Sequence, residues 1–153
     1  MIKLNLQNNT DNTQLPSKAL ITTWLNMAST FSPLENCSQN SINMLITDIK
    51  QMSALNKNFR DKEGPTNVLS FPDEVIPGVD SDSLGDIAIC AEIVEQEANA
   101  QHKPVVAHWA HLVIHGFLHL QGYDHIKNKD AMVMEALEIQ ILKQLGFDNP
   151  YEV

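Results

Sequence analysis

The sequence predicts an α+β fold: one domain in which a small mixed sheet of about four strands packs with about five helices. Three observations lead there. The 153 residues fit a single domain, which typically spans roughly 100–200 residues, so residues 1–153 are expected to form one unit. A 43% hydrophobic content with 6% aromatic and 19% charged residues supplies a core and excludes disordered, collagenous and low-complexity classes. Segments of strand and helix period follow one another without strict alternation, which disfavours a purely parallel α/β sheet.

Ile2, Leu4 and Leu6 alternate with polar residues and end in an Asn8-Asn9-Thr10-Asp11-Asn12 turn cluster, the pattern of an edge strand. From Ser17 to about Ser29, Ala19, Leu20, Thr23, Trp24 and Met27 recur at helical spacing, with Pro16 suited to a first-turn position. Ile42, Met44, Leu45 and Ile46 read as a strand, and Asp48 caps a short helix through Met52 and Leu55. Residues 59–66 are polar with a Gly-Pro break and are expected to be loop. Residues 67–71 form a short strand stopped by Pro72, residues 73–85 a second loop, and residues 86–90 another strand. Residues 91–101 are helical by composition. After Pro104 a long helix covers 105–121 and ends at Gly122; a last helix runs from about Asp130 to Leu145 and ends at Gly146. Its Met134, Leu137, Ile141 and Leu142 make a stripe that belongs to the core.

Ten Lys and Arg against 19 Asp and Glu give a net charge of −9, which argues against wholesale wrapping of nucleic acid or docking on an anionic membrane. The excess is local. All cations lie outside residues 63–102, that segment carries nine acids, and the remainder is neutral. Cys37 and Cys90 have no CxxC spacing and suit packing residues in a reducing compartment. The start of the chain lacks an apolar signal core and no run reaches the ~18 residues of a membrane span, so a cytoplasmic protein is expected.

Four of the six histidines, His108, His111, His115 and His119, fall on the long helix, and His125 follows Gly122 by three residues. Steps of four rotate a side chain by only about 40°, so 111, 115 and 119 share a face. His111 and His119 are about 12 Å apart along the axis, too far to serve one ion equally, whereas two histidines on adjacent turns can. Because the helix stops at Gly122, the chain can return His125 to His115 and His119, placing a metal site at the end of a central helix. Three imidazoles leave one position of a tetrahedral zinc ion open, the mark of a catalytic site. The string His115-Gly116-Phe117-Leu118-His119-Leu120-Gln121-Gly122-Tyr123-Asp124-His125 has the spacing of the metzincin proteases, HExxHxxGxxH, except that Gly116 stands where their general base would be. Glycine within a helix costs about 1 kcal/mol relative to Ala, so a close approach by substrate or by a neighbouring element is expected there. His102 and His108 read as structural. His111 reads as structural or as a partner behind a metal ligand. Asp124 is either an acceptor that orients an imidazole or an exposed loop residue.

Arg60 is the only arginine and sits in the expected loop between Lys57 and Lys62. It is either a solvated cation or a phosphate ligand, since guanidinium matches a phosphate through paired charge-assisted bonds. Thr66, Asn67 and Ser70 are uncharged donors in the same segment.

The stretch 109–125 (WAHLVIHGFLHLQGYDH), with Gly64-Pro-Thr-Asn-Val-Leu-Ser-Phe-Pro72 and Leu84-Gly-Asp-Ile87, resembles the YbeY family of bacterial rRNA-processing endoribonucleases. Met134-Glu-Ala-Leu-Glu and Gly146-Phe-Asp-Asn-Pro-Tyr151 fit it as well. The likeness is strong over 58–151 and confined to layout over the first 57 residues. It implies a metal-dependent, single-strand-specific endoribonuclease that matures the 3′ end of small-subunit 16S rRNA and serves ribosome quality control. It places one zinc ion per chain on His115, His119 and His125 and the functional arginine on Arg60. His115 and Arg60 would carry the chemistry, with Arg60, Lys62, Thr66, Asn67 and Ser70 contacting RNA and Asp124 and His111 supporting the metal ligands. Expected partners are single-stranded rRNA and the small ribosomal subunit with its proteins, and no membrane. The alternatives are a metzincin-like zinc hydrolase of peptides or small molecules and a ribosome-associated binding module with a structural metal.

Overall fold

The computed structural model describes residues 1–73, 77–124 and 127–152. The element order is β1 (Lys3–Asn8), α1 (Lys18–Phe31), β2 (Ser41–Thr47), α2 (Ile49–Arg60), β3 (Val68–Pro72), β4 (Ser83–Cys90), α3 (Ala91–Ala100), α4 (Val105–Leu120) and α5 (Asn128–Gln144). The four strands form one mixed sheet in the order β1-β2-β4-β3. β1 and β4 run parallel to β2, and β3 runs antiparallel to β4. Among the described residues, the expected α+β arrangement of four strands and five helices is observed.

Period-two patterning assigns the two faces of the sheet. Ile42, Met44 and Ile46 of β2 and Ile87 and Ile89 of β4 join Leu4, Trp24, Trp109 and Phe117 in the main core, while Leu69, Ala88 and Cys90 join Met52 of α2 in a smaller cluster. Helices α1, α3, α4 and α5 therefore build on one face and α2 lies on the other. Helix α4 is central: it touches α1, α3, α5, β3 and β4. Its Val113, Ile114, Phe117 and Leu118 are completely buried, each stabilising the fold by roughly 1.5–3 kcal/mol relative to exposure. A helix held on so many sides is a rigid base for side chains at its C-terminal end.

The Asp48 cap is as expected, whereas the start of α1 is not. The side chains of Ser17 and Asp48 accept hydrogen bonds from the Leu20 and Gln51 amides at 3.1 and 2.7 Å, so Pro16 precedes the cap and does not occupy the first turn. Gly122 has φ +95°, and the Tyr123 amide reaches back to the Leu118 carbonyl at 3.1 Å, which ends α4 as expected.

Both expected loops give up residues to a neighbouring element, Phe59 and Arg60 to α2 and residues 83–85 to β4, while 61–66 carries no helix or strand, as expected. Helix α2 continues to Arg60 and ends only at Asp61, whose φ is +52°. The buried Asn56 side chain donates to the Gly64 carbonyl at 2.9 Å and its carbonyl accepts from the Lys62 amide at 3.3 Å, so a polar residue inside the helix holds the turn that follows. Arg60 is thus a helix C-terminal residue, not a loop residue. Strand β4 begins at Ser83, three residues before the expected start, because Ser83 pairs with Ser41 and Gly85 with Ile42 of β2. A Cβ at Gly85 would lie 2.5 Å from the Phe71 carbonyl oxygen and 2.7 Å from Leu120, so only glycine lets β3, β4 and α4 meet there.

Candidate metal centre and its cleft

His111, His115 and His119 project from one face of α4, as their spacing requires, toward the C-terminal half of α5 and the edge strand β3. Nε2 of His115 and Nε2 of His119 stand 3.0 Å apart. Two imidazole nitrogens at that distance either share a proton or turn their lone pairs to a common cation. Zinc–nitrogen bonds of 2.0–2.1 Å at a tetrahedral angle separate their nitrogens by about 3.3–3.4 Å, so the pair fits a shared ion after a shift of a few tenths of an ångström.

Behind this pair lies Glu138 of α5, completely buried. Its Oε1 accepts from Nδ1 of His115 at 2.6 Å and its Oε2 from Nε2 of His111 at 2.9 Å; the Tyr151 hydroxyl also donates to Oε2. Burial alone would raise the Glu138 carboxyl, but the hydrogen bonds from His111 and His115 and their charge outweigh it and hold the group down at about 2 against an ordinary 4.5. The reverse holds for Tyr151, whose hydroxyl is pushed up by burial and by the adjoining Glu138 carboxylate. An ionised carboxylate has only acceptors, so in the neutral form of His115 the proton sits on Nδ1 beside Glu138 and Nε2 is the lone-pair nitrogen. This carboxylate–histidine pairing orients metal-binding imidazoles generally.

Two donor groupings meet at His115. Among the described residues, His111, His115 and Glu138 gather ligand atoms within 4.8 Å of one another and could hold a metal ion. Their internal distances of 2.6 and 2.9 Å are those of hydrogen bonds, shorter than the spacing of two ligands on one ion, and both carboxylate oxygens are already engaged. On the other side of the ring, Nε2 of His115 converges with His119. His125 lies outside the described residues.

His115 and His119 form one wall of a cleft of about 750 Å³, whose other walls carry Arg60, Lys62, Thr66, Asn67, Ser70 and Asp124. The helix α2 terminus and the following turn carry Arg60, Lys62 and Thr66 to the cleft, β3 carries Ser70, and the turn after α4 carries Asp124. Lys57 is occupied elsewhere by Glu63 at 2.6 Å. Asn67 lines the cleft, but its amide donates to Glu97 at 3.1 Å and its side-chain oxygen accepts from the Val68 amide at 2.7 Å, so both ends fix the start of β3. The Ser70 hydroxyl donates to the Gly116 carbonyl at 3.1 Å, tying β3 to α4.

That tie explains Gly116. A Cβ there would meet Ile87 side-chain carbons at 3.2 and 3.3 Å and Ser70 Oγ at 3.3 Å. The close approach is made by the neighbouring strands, and the position where a metzincin keeps its glutamate faces the sheet. Buried His108, on the same helix, is structural: its Nε2 bonds Glu97 at 2.9 Å, and burial pulls its pKa down despite that partner. Glu138 is the residue that sequence reasoning missed. The available signal was an acid at 134+4 and 142−4, on the buried stripe of α5.

The family model described as Endoribonuclease YbeY matches residues 4–146. Two curated relatives named Endoribonuclease YbeY, from Coxiella burnetii strains Dugway 5J108-111 and RSA 493, are each 51% identical over 152 residues, covering 99% of this chain and 99% of their own. A solution structure of a Thermotoga maritima protein matches with a TM-score of 0.63 and 23% identity over 100% of both chains, a likeness of fold.

Proposed function

Because this chain belongs to the YbeY endoribonuclease family, we propose that it is a metal-dependent, single-strand-specific endoribonuclease of rRNA, acting at the 3′ end of the small-subunit RNA and in ribosome quality control. The observation that carries the reading is the single cleft in which Arg60 and Lys62 face the converging His115 and His119. Zinc suits the donor set, with His125 as the third imidazole. A divalent ion there supplies a Lewis acid for a phosphodiester oxygen. The chain's own residues do the rest. Arg60 offers paired N–H donors to the phosphoryl oxygens as their charge grows, Lys62 adds a point charge, Thr66 adds an uncharged donor, and Glu138 fixes the tautomer and orientation of His115. The reducing cytoplasm fits two unpaired cysteines, and no helix among the described residues is long and apolar enough to cross a membrane. The small ribosomal subunit and its proteins are the partners this reading requires, since a chain of net charge −9 needs guidance to its RNA.

The peptide-hydrolase alternative is weakened by Gly116, whose packing leaves no room for a glutamate. Zinc-loaded protein assayed side by side on single-stranded RNA and on unfolded peptide separates the two. RNA cleavage with intact peptide is expected; peptide cleavage with intact RNA would overturn the reading. Arg60→Glu should retain metal and lose RNA cleavage.

A further inference from the structure

Helix α2 and strand β3 each hand consecutive residues to two different hollows. Arg60 and Ser70 line the cleft described above. Their neighbours Phe59 and Phe71 line a second hollow of about 700 Å³ on the opposite face of the sheet. The two hollows therefore lie on opposite faces of the edge strand β3.

Phe59 is 64% exposed, an unusual position for a phenylalanine that contributes little to either core cluster. Its ring meets Phe71 edge-to-face, with centroids 5.4 Å apart and planes at 68°. In that arrangement, whichever ring presents its edge, Phe59 keeps at least one face free of Phe71, and its exposure puts that face in water. Beside the rings, the sheet surface carries a ladder of polar groups in place of the usual apolar ones. Asn5 donates to Asn43 at 3.0 Å and Asn43 donates to Asp86 at 3.0 Å, and all three line the same hollow. An aromatic face beside fixed amide and carboxylate groups is the chemistry that holds an unpaired nucleobase: stacking on the ring, hydrogen bonds at the base edge. Local charge points the same way. Among the described residues, the lining cations are Arg60 and Lys62 in the cleft and Lys18 in the hollow, so counterion release contributes little RNA affinity and uncharged contacts must supply more of it.

We infer that Phe59, backed by Phe71, is a stacking platform for a nucleobase of the single-stranded RNA whose phosphate lies at Arg60, and that Asn43 and Asp86 contact that base at its edge. This rests on the endoribonuclease reading of the cleft. It also accounts for the single-strand requirement, because a base in a duplex has no free face to offer.

The test is binding of a fluorescent single-stranded RNA of about 12 nucleotides to the metal-loaded full chain, in wild type, Phe59→Leu and Phe59→Trp. Abasic sites are placed at each position of the RNA in turn. Phe59→Leu keeps an apolar side chain against Phe71 and should weaken binding by roughly 5- to 100-fold with metal content and circular dichroism unchanged. Phe59→Trp should restore affinity, with its indole fluorescence quenched on binding. For one abasic position the leucine penalty should vanish. Leucine binding equal to wild type, or a penalty of equal size at every abasic position, overturns the platform. So does RNA binding retained while a wild-type dimer becomes monomeric, which would make the patch a self-association face. If wild type cleaves RNA and the leucine variant binds it equally well, only the platform fails; if wild type neither binds nor cleaves RNA, the endoribonuclease reading fails with it.

Discussion

Glu138 has no contact with solvent, and a lone carboxylate in such a place would take up a proton. It stays ionised because His111, His115 and Tyr151 all turn donors to it. Glu138→Gln keeps the shape and removes the charge. It should weaken metal binding about 10- to 100-fold, measured by competition with a chromophoric chelator, and lower stability by about 1–3 kcal/mol. The metal-free protein gives a second readout. A carboxyl held at about 2 in the fold and at 4.5 when free contributes stability that is complete above pH about 4.5 and lost as pH falls toward 2. Acid unfolding of wild type should therefore steepen in that window, and the Gln variant should lack this contribution. Unchanged metal affinity in the variant would remove Glu138 from the site.

At the scale of elements, Gly116 shows how packing decides chemistry. The sheet approaches α4 so closely that a methyl group already crowds Ile87 and Ser70, so Gly116→Glu should not create a metzincin base. Thermal unfolding should show a loss of about 3 kcal/mol or more. A stable variant with new peptidase activity would contradict the packing argument. Most elements were legible in the sequence because their signals are local: alternation in β1, the apolar run of β2, the cap at Asp48, terminators at Gly122 and Gly146. The misread segments depended on contacts outside the local pattern. The end of α2 reads as loop because residues 59–66 are polar with a Gly-Pro break, and Asn56 within the helix holds the turn that follows through the Gly64 carbonyl. Residues 83–85 become strand only by pairing with β2. The spacing of the histidines placed three of them on one face, yet Glu138 escaped notice because a buried acid makes sense only with partners on another helix.

For the molecule as a whole, the acidic balance and an RNA substrate are reconciled by geometry. The cleft draws on Arg60 and Lys62 for its positive charge, so few counterions are displaced on binding. With two phosphates neutralised and about 0.7 counterion released per phosphate on single-stranded nucleic acid, the logarithm of the binding constant should fall with the logarithm of salt concentration at a slope of about −1.4. A titration from low to physiological salt checks this, and a slope several times steeper would reveal a cationic surface beyond the cleft.

On the proposed reading, RNA cleavage depends on a metal held at the end of α4 by His115 and His119. This dependence is tested most directly by measuring metal content and single-stranded RNA cleavage on the same samples of wild type and His119→Ala. Wild type should carry about one metal equivalent per chain and cleave RNA until chelated with the fold kept, and the variant should lose both metal and cleavage. RNA cleavage at the wild-type rate by a variant free of metal would contradict the account.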